Sequence, residues 1–206
     1  MLTGGNYSTE CCREPEAWGA YPGIDKMLIG DIYRKFGNKK LKTFPIIDLF
    51  RYKLLYQYIL GMKVVKPLNL YPYIKESAEH ELEKFCGWKP FKHKHHESRF
   101  TRFFEDYWMP KKFGYEKRRA HFSSLVMTGQ MDRDSALKRL ESSELSEFEL
   151  SKEFEYVASK LDISSEDLQL IFEGQNKTYK DYKNKRLLIG LGYQILRILG
   201  IEKRLF

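Results

Sequence analysis

The sequence predicts a mainly α-helical chain that opens on one edge of an α/β domain. Two observations carry the helical part. Apolar residues recur near helical period through most of the 206 residues. The periodic stretches also end on Gly or Pro, where helices stop. The α/β edge rests on "MLTGG", which reads as the last of a buried strand running into a glycine turn.

The elements follow in order. "YPGIDKMLIGDIYRKFG" predicts a helix over Ile24 to Phe36, closed by Gly37. "KKLKTFPIIDLFRYKLLYQYILGM" predicts an extended approach to Pro45 and a helix to about Leu60. A Pro-punctuated loop leads to a helix over about Lys75 to Phe85, with Ala78, Leu82 and Phe85 on its apolar side. A partly helical stretch from Ser98 to Trp108 is expected to stop at Pro110. "RRAHFSSLVMTGQM" predicts a helix ended at Gly129, and Asp132 caps the next one. Phe148, Leu150, Phe154, Val157 and Leu161 mark a longer helix, and "SSEDLQLIFEG" a capped one ending at Gly174. The tail from Tyr179 adds one or two more. Its stretch from Leu187 to Ile201 is too short to span a membrane and contains Arg197, so it is expected to be buried or interfacial.

Composition narrows the setting. A hydrophobic fraction of 42% and an aromatic fraction of 15% suffice for a packed core. A net charge of +8 favours polyanionic partners: nucleotides, phosphorylated substrates, nucleic acid or an anionic surface. Cys11, Cys12 and Cys86 make a poor disulfide framework, and "MLTGGNYSTE" lacks the features of a signal peptide; both favour a cytoplasmic setting.

Two clusters invite chemistry. His93, His95 and His96 lie close together, but they lack zinc-ligand spacing and are interleaved with Lys, so no metal site is assigned. Beyond them, Arg99, Arg102, Lys111, Lys112, Lys117, Arg118 and Arg119 are mixed with Phe100, Phe103, Phe104, Tyr107, Trp108 and Tyr115. In a helix Arg99 and Arg102 share a face, and two planar guanidiniums suit a phosphate or carboxylate. The aromatic residues at helical spacing suit a core better than a base-stacking platform. A solvated basic face remains the plain alternative. "TGGNYSTE" offers backbone N–H groups near a strand end, where open α/β sheets bind ligands. No Walker A motif, GxSxG elbow or Ser/His/Asp order is present.

The run "KHHESRFTRFFEDYWMPKKFGYEKRRAHFSSLVMTGQMDRDSAL", Lys94 to Leu137, resembles the C-terminal region of the N-acetyl sugar amidotransferases of surface-polysaccharide biosynthesis. "GGNYSTE", "KKLKTFPIIDLF" and "VVKPLNLYPYIK" resemble the same family in the same order, and the likeness covers Thr3 to about Tyr182. It implies an ATP-pyrophosphatase of the PP-loop type (adenine nucleotide alpha hydrolase-like). Residues 1–70 would be the C-terminal remnant of the nucleotide-binding domain, and 71–206 a helical region facing substrate and pyrophosphate. It further implies that a sugar acetamido group is adenylated with ATP and Mg²⁺ and then converted to acetamidino by glutamine-derived ammonia. The implied partners are a nucleotide-activated acetamido sugar and glutaminase and cyclase-like subunits; nucleic acid is not among them.

In this reading Arg99, Arg102, Lys111 and Lys112 meet charge building on the leaving pyrophosphate. Gly4, Gly5, Asn6 and Glu10 face ATP, with Glu10 placed to help hold Mg²⁺. The family's SGGxDS-type loop and Cys-rich segment are absent from this sequence. The expectation is therefore a fragment, a truncated product or half of a split enzyme, inactive alone and needing an N-terminal PP-loop half. Two other readings stay open: a basic helical nucleic-acid-binding module, and a non-catalytic subunit that docks on the ammonia-supplying machinery.

Overall fold

A computed structural model of the chain describes residues 1–19, 21, 25–49, 51–91, 97–141, 145–198 and 200. His93, His95 and His96 lie outside the described residues. The chain is mainly helical. The expected strand is reduced to a single parallel bridge between Leu2 and Val65, with the Thr3 N–H donating to the Val65 carbonyl at 3.0 Å. Leu2 is 74% exposed, so the bridge is no buried strand. Among the described residues there is no sheet, and the α/β part of the expectation has no counterpart there. None of the helices is long and apolar enough to cross a membrane, again among the described residues.

The chain forms two compact units. One comprises Leu2–Glu14 and Val65–Asn176; the other comprises Met1, Pro15–Val64 and Lys177–Phe206. The first holds α1 (Tyr7–Glu10), α3 (Lys75–Cys86), α4 (Arg99–Phe103), α5 (Lys117–Met127), α6 (Arg133–Glu141), α7 (Glu147–Leu161) and α8 (Ser165–Glu173). Its main core is Phe103, Trp108, Val157, Ala158 and Leu168, flanked by Tyr107, Phe154 and Phe172. The aromatic residues of the basic stretch are thus mostly core, as their spacing suggests. A second cluster joins Phe122 and Leu125 of α5 to Ala136 of α6.

Helix ends follow the side chains at hand. Ser146 and Ser164 start α7 and α8 with reciprocal capping boxes to Glu149 and Asp167. Asp132 accepts the Ser135 N–H at 2.7 Å and so caps α6 as expected. Pro110 does not stop its helix. After α4 the backbone continues as a wider π-helix over Phe104–Phe113 with Pro110 inside, and ends at Gly114 in the left-handed region, φ 75°. A widened turn relieves the crowding that a proline ring causes in an ordinary α-helix.

The second unit holds α2 (Lys26–Phe36), a π-helical turn over Arg51–Ile59, and α9 (Arg186–Ile198). The only buried apolar residue described in it is Ile189. Carboxylates hold it instead. Asp25, 3% exposed, caps α2 by accepting the Met27 and Leu28 N–H groups at 2.8 and 3.2 Å. Its other oxygen accepts the Tyr21 hydroxyl at 2.6 Å and the Lys185 N–H at 2.5 Å. Burial opposes ionisation of Asp25, but these four donors outweigh it and hold the carboxyl below its usual range. Asp31 accepts the Lys183 N–H at 2.9 Å and pairs with Arg34 and Lys35.

Gly37 does close α2, but with an extended φ of −78°. A Cβ there would run into the Tyr33 ring and carbonyl oxygen, so the position demands small size. Of the two expectations for the tail, burial is not met, and the interfacial one is untouched by it. Leu187, Leu188, Leu191, Ile195 and Ile198 of α9 are all more than half exposed.

Candidate functional site

α4 brings Arg99 and Arg102 to one side, as their spacing predicts, and α7 meets them with two carboxylates one turn apart. Arg99 Nε bonds to Glu153 at 3.0 Å, and Arg102 Nη2 to Glu149 at 3.2 Å. The Arg99 guanidinium also stacks 3.6 Å above the Tyr156 ring. Both bonds to Glu153 use Nε, which leaves the η nitrogens outside that pair.

Beside Arg99 lies an open groove of about 390 Å³, lined among others by Ser98, Phe100, Tyr156 and Lys160. Lys160 sits 5.6 Å from the Tyr156 ring centre and is exposed. Phe100 is 52% exposed and stacks on Phe104. The groove is therefore lined by two cations and two aromatic rings. Tyr156 and Lys160 escaped the sequence reading. The signal was present: Glu149, Glu153, Tyr156 and Lys160 recur at helical spacing on α7, complementary to the Arg pair.

The other cations have separate fates. Lys112 donates to the carbonyls of Phe172 and Gly174, the latter at 2.6 Å, and so satisfies the C-terminal end of α8. Lys111 is exposed and makes no ion pair among the described residues. Lys117 is paired with Glu105 at 2.6 Å and Glu14 at 3.6 Å. Burial alone would lower its pKa, but the two carboxylates prevail and raise it.

The glycine loop stands on other elements. α1 packs on α5, whereas α4 packs on α7. Gly4 is exposed, with open space where a side chain would begin. Above Gly5 lie Glu10 Oε2 and the Lys66 side chain, 3.5 and 3.6 Å from that same point. Neither glycine has a positive φ, so the loop is no left-handed turn. Asn6, 8% exposed, accepts the Thr9 N–H at 2.8 Å and the Thr9 hydroxyl at 3.1 Å, which makes it the cap of α1. Glu10 presents an exposed carboxylate, an oxygen ligand of the kind a hard cation takes.

Glu149 is the most perturbed carboxylate of the region. The Ser146 N–H and hydroxyl, followed by Arg102, hold its pKa down to about 2 from an ordinary 4.5. A lowered folded pKa gives stability that is complete above 4.5 and lost as pH falls toward 2. The first turn of α7 is thus expected to loosen across that window, seen as faster amide exchange at Glu149. Ser146→Ala should move the Glu149 titration upward, measured by carboxyl NMR.

The segment that builds this groove has known relatives. Residues 97–197 match the family of the LPS biosynthesis protein WbpG-like, C-terminal domain. The match ties this segment to a family described by lipopolysaccharide biosynthesis and covers just under half of the chain. The WbpG-like segment begins at Glu97, on the rim of the groove, and runs through α9. It contains Arg99, Arg102, Lys111 and Lys112 but not Gly4, Gly5, Asn6 or Glu10. Among curated proteins and among solved structures, nothing matches the chain.

Proposed function

We propose that the chain is the C-terminal portion of an ATP-dependent amidotransferase of surface-polysaccharide biosynthesis. It would convert a sugar acetamido group to acetamidino through an adenylated intermediate and ammonia. One observation carries the reading: the WbpG-like match begins at the groove where Arg99, Lys160, Phe100 and Tyr156 converge. Aromatic faces suit a sugar or a base, and paired cations suit the diphosphate of a nucleotide-activated sugar. Arg99 η nitrogens and Lys160 would bind that diphosphate, with Lys111 free to meet pyrophosphate at the edge. Arg102 positions α4 through Glu149, and Lys112 holds α8.

ATP and Mg²⁺ would sit at the glycine loop. Gly4 has open space above it, and Glu10, an exposed residue beside the Lys66 side chain, would turn an oxygen to the cation. Asn6 supports that loop as the cap of α1. The Mg²⁺–ATP pair would supply the leaving pyrophosphate. The main phosphate cradle would come from an N-terminal PP-loop half, and ammonia from glutaminase and cyclase-like subunits in the cytoplasm.

The test is direct. The chain is incubated with ATP, Mg²⁺, ammonia and a nucleotide-activated acetamido sugar, with and without a separately expressed PP-loop half. Amidine is expected only with both halves, followed by mass spectrometry. Lys160→Ala should raise KM for the sugar nucleotide about tenfold or more, the loss of one charge-assisted contact. No amidine from the two halves together would overturn the reading.

A further inference from the structure

α1 ends at two neighbouring cysteines, and α5 meets them with a methionine. Cys12 Sγ lies 3.3 Å from Met127 Sδ. Cys11 Sγ lies 3.8 Å from the Ser124 carbonyl oxygen, on the same turn of α5 that carries Met127. Two sulfurs are thus in contact, and the third, on the adjacent residue, lies against the same turn of α5.

We propose that Cys11, Cys12 and Met127 form a binding site for a soft, thiophilic monovalent cation of the copper(I) type. Thiolate and thioether sulfurs are the donors that such a cation prefers over hard oxygen ligands. Metal–sulfur bonds of about 2.3 Å place neighbouring sulfurs somewhat under 4 Å apart, so Cys12 and Met127, at 3.3 Å, need only a small adjustment to share an ion. No group of three His, Cys, Asp or Glu among the described residues could hold a metal. This cluster reaches three donors because one is a thioether.

Packing does not explain the sulfurs. A cysteine that serves as a small hydrophobe is usually buried, yet Cys11 is exposed. Met127 is 75% exposed and lies outside the α5–α6 core. The support beneath them, by contrast, is rigid. Ser124 is fully buried, accepts the Cys12 N–H at 2.9 Å and donates to the Ala120 carbonyl at 3.1 Å. That bond locks the end of α1 onto α5, and the Thr128 hydroxyl adds a second tie to the Ser8 carbonyl at 2.8 Å. The sulfurs are accessible and their backbone is held, which is the arrangement a ligand site needs.

Binding would exchange protons for the cation. The two thiols release their protons to solvent, two metal–thiolate bonds and one metal–thioether bond form, and no atom changes oxidation state. Because binding releases protons, affinity should increase with pH.

The experiment is an anaerobic titration of the reduced full chain with copper(I) against a chromophoric copper(I) chelator. One equivalent should be retained, with an ultraviolet sulfur-to-copper charge-transfer band. Cys11→Ser and Cys12→Ser should each abolish the band. Met127→Leu, at an exposed position that keeps its bulk, should weaken retention by about tenfold or more. Cys86→Ser should change nothing. Circular dichroism on each variant separates lost ligands from lost fold. The proposal is overturned if no copper is retained, if Met127→Leu binds like the parent, or if retention follows Cys86.

Discussion

Phe103→Ala is expected to lower the unfolding free energy by about 3–5 kcal/mol, the usual cost of emptying a buried phenylalanine site. Phe103 is 1% exposed. Its ring lies 5.6 Å from Tyr107, 5.8 Å from Trp108 and 5.7 Å from Phe154, centre to centre. These rings come from α4, the π-helix and α7, so one truncation leaves a gap that no single element can fill. The loss is a large share of the roughly 5–15 kcal/mol that holds a domain together. Urea unfolding followed by tryptophan fluorescence reads it, since Trp108 borders the gap. Phe100→Ala is the control, because Phe100 is half exposed and its loss should cost well under 1 kcal/mol. Phe100 also lines the groove, so its variant should bind the sugar nucleotide less well at nearly unchanged stability. A cost at Phe103 no greater than at Phe100 would mean that these rings are not the core.

The second large effect is expected at Asp25. Asp25→Ala should destabilise the unit that holds α2 by about 2 kcal/mol: roughly 1 for the cap, and the rest for a part-buried hydroxyl and amide left without an acceptor. Asp25→Asn should fall between, because its carbonyl oxygen still caps α2 while its amide turns a donor toward Lys185 N–H or Tyr21. Amide hydrogen exchange at Met27 and Leu28 is the measurement. The parent should also show an acid dependence. The Asp25 carboxyl is held below its ordinary 3.8, so its contribution is complete above that pH and is lost as pH falls through the folded value. Asp25→Ala should lack this dependence, and an unchanged acid limb would refute the assignment.

Asp25 also shows where the sequence was silent. "GIDKM" marked a helix start, yet one of the Asp25 carboxylate oxygens is used by Tyr21 and by Lys185, 160 positions away. Local pattern carries no trace of such a partner. Where caps are local the reading was sound: Asp132 and the serine signal of "SSEDLQLIFEG" lie where they were expected. Pro110 misled because a proline forbids an ordinary helical turn but not a wider one. Gly37 marked the right end for a different reason, since the Tyr33 ring leaves no room there for a side chain. At the groove, the helical face of Arg99 and Arg102 was legible from spacing. Their carboxylate partners and Lys160 arrive from α7, about fifty residues away in sequence. The apolar pattern of α9 was legible too, but pattern alone does not say whether a face is covered, and its leucines are open.

The amides of Lys183 and Lys185, which Asp31 and Asp25 accept, come from near the end of the chain. The unit built from Leu2–Glu14 and Val65–Asn176 has all of its residues earlier. During synthesis that unit can pack around Phe103 while Asp25 and Asp31 still wait for their partners on the ribosome. Until then α2 has its cap but not its anchors, and its two aspartates are solvated carboxylates rather than buried ones. A released chain ending at Asn176 should therefore display a protease-resistant α4–α8 region beside a cleavable α2.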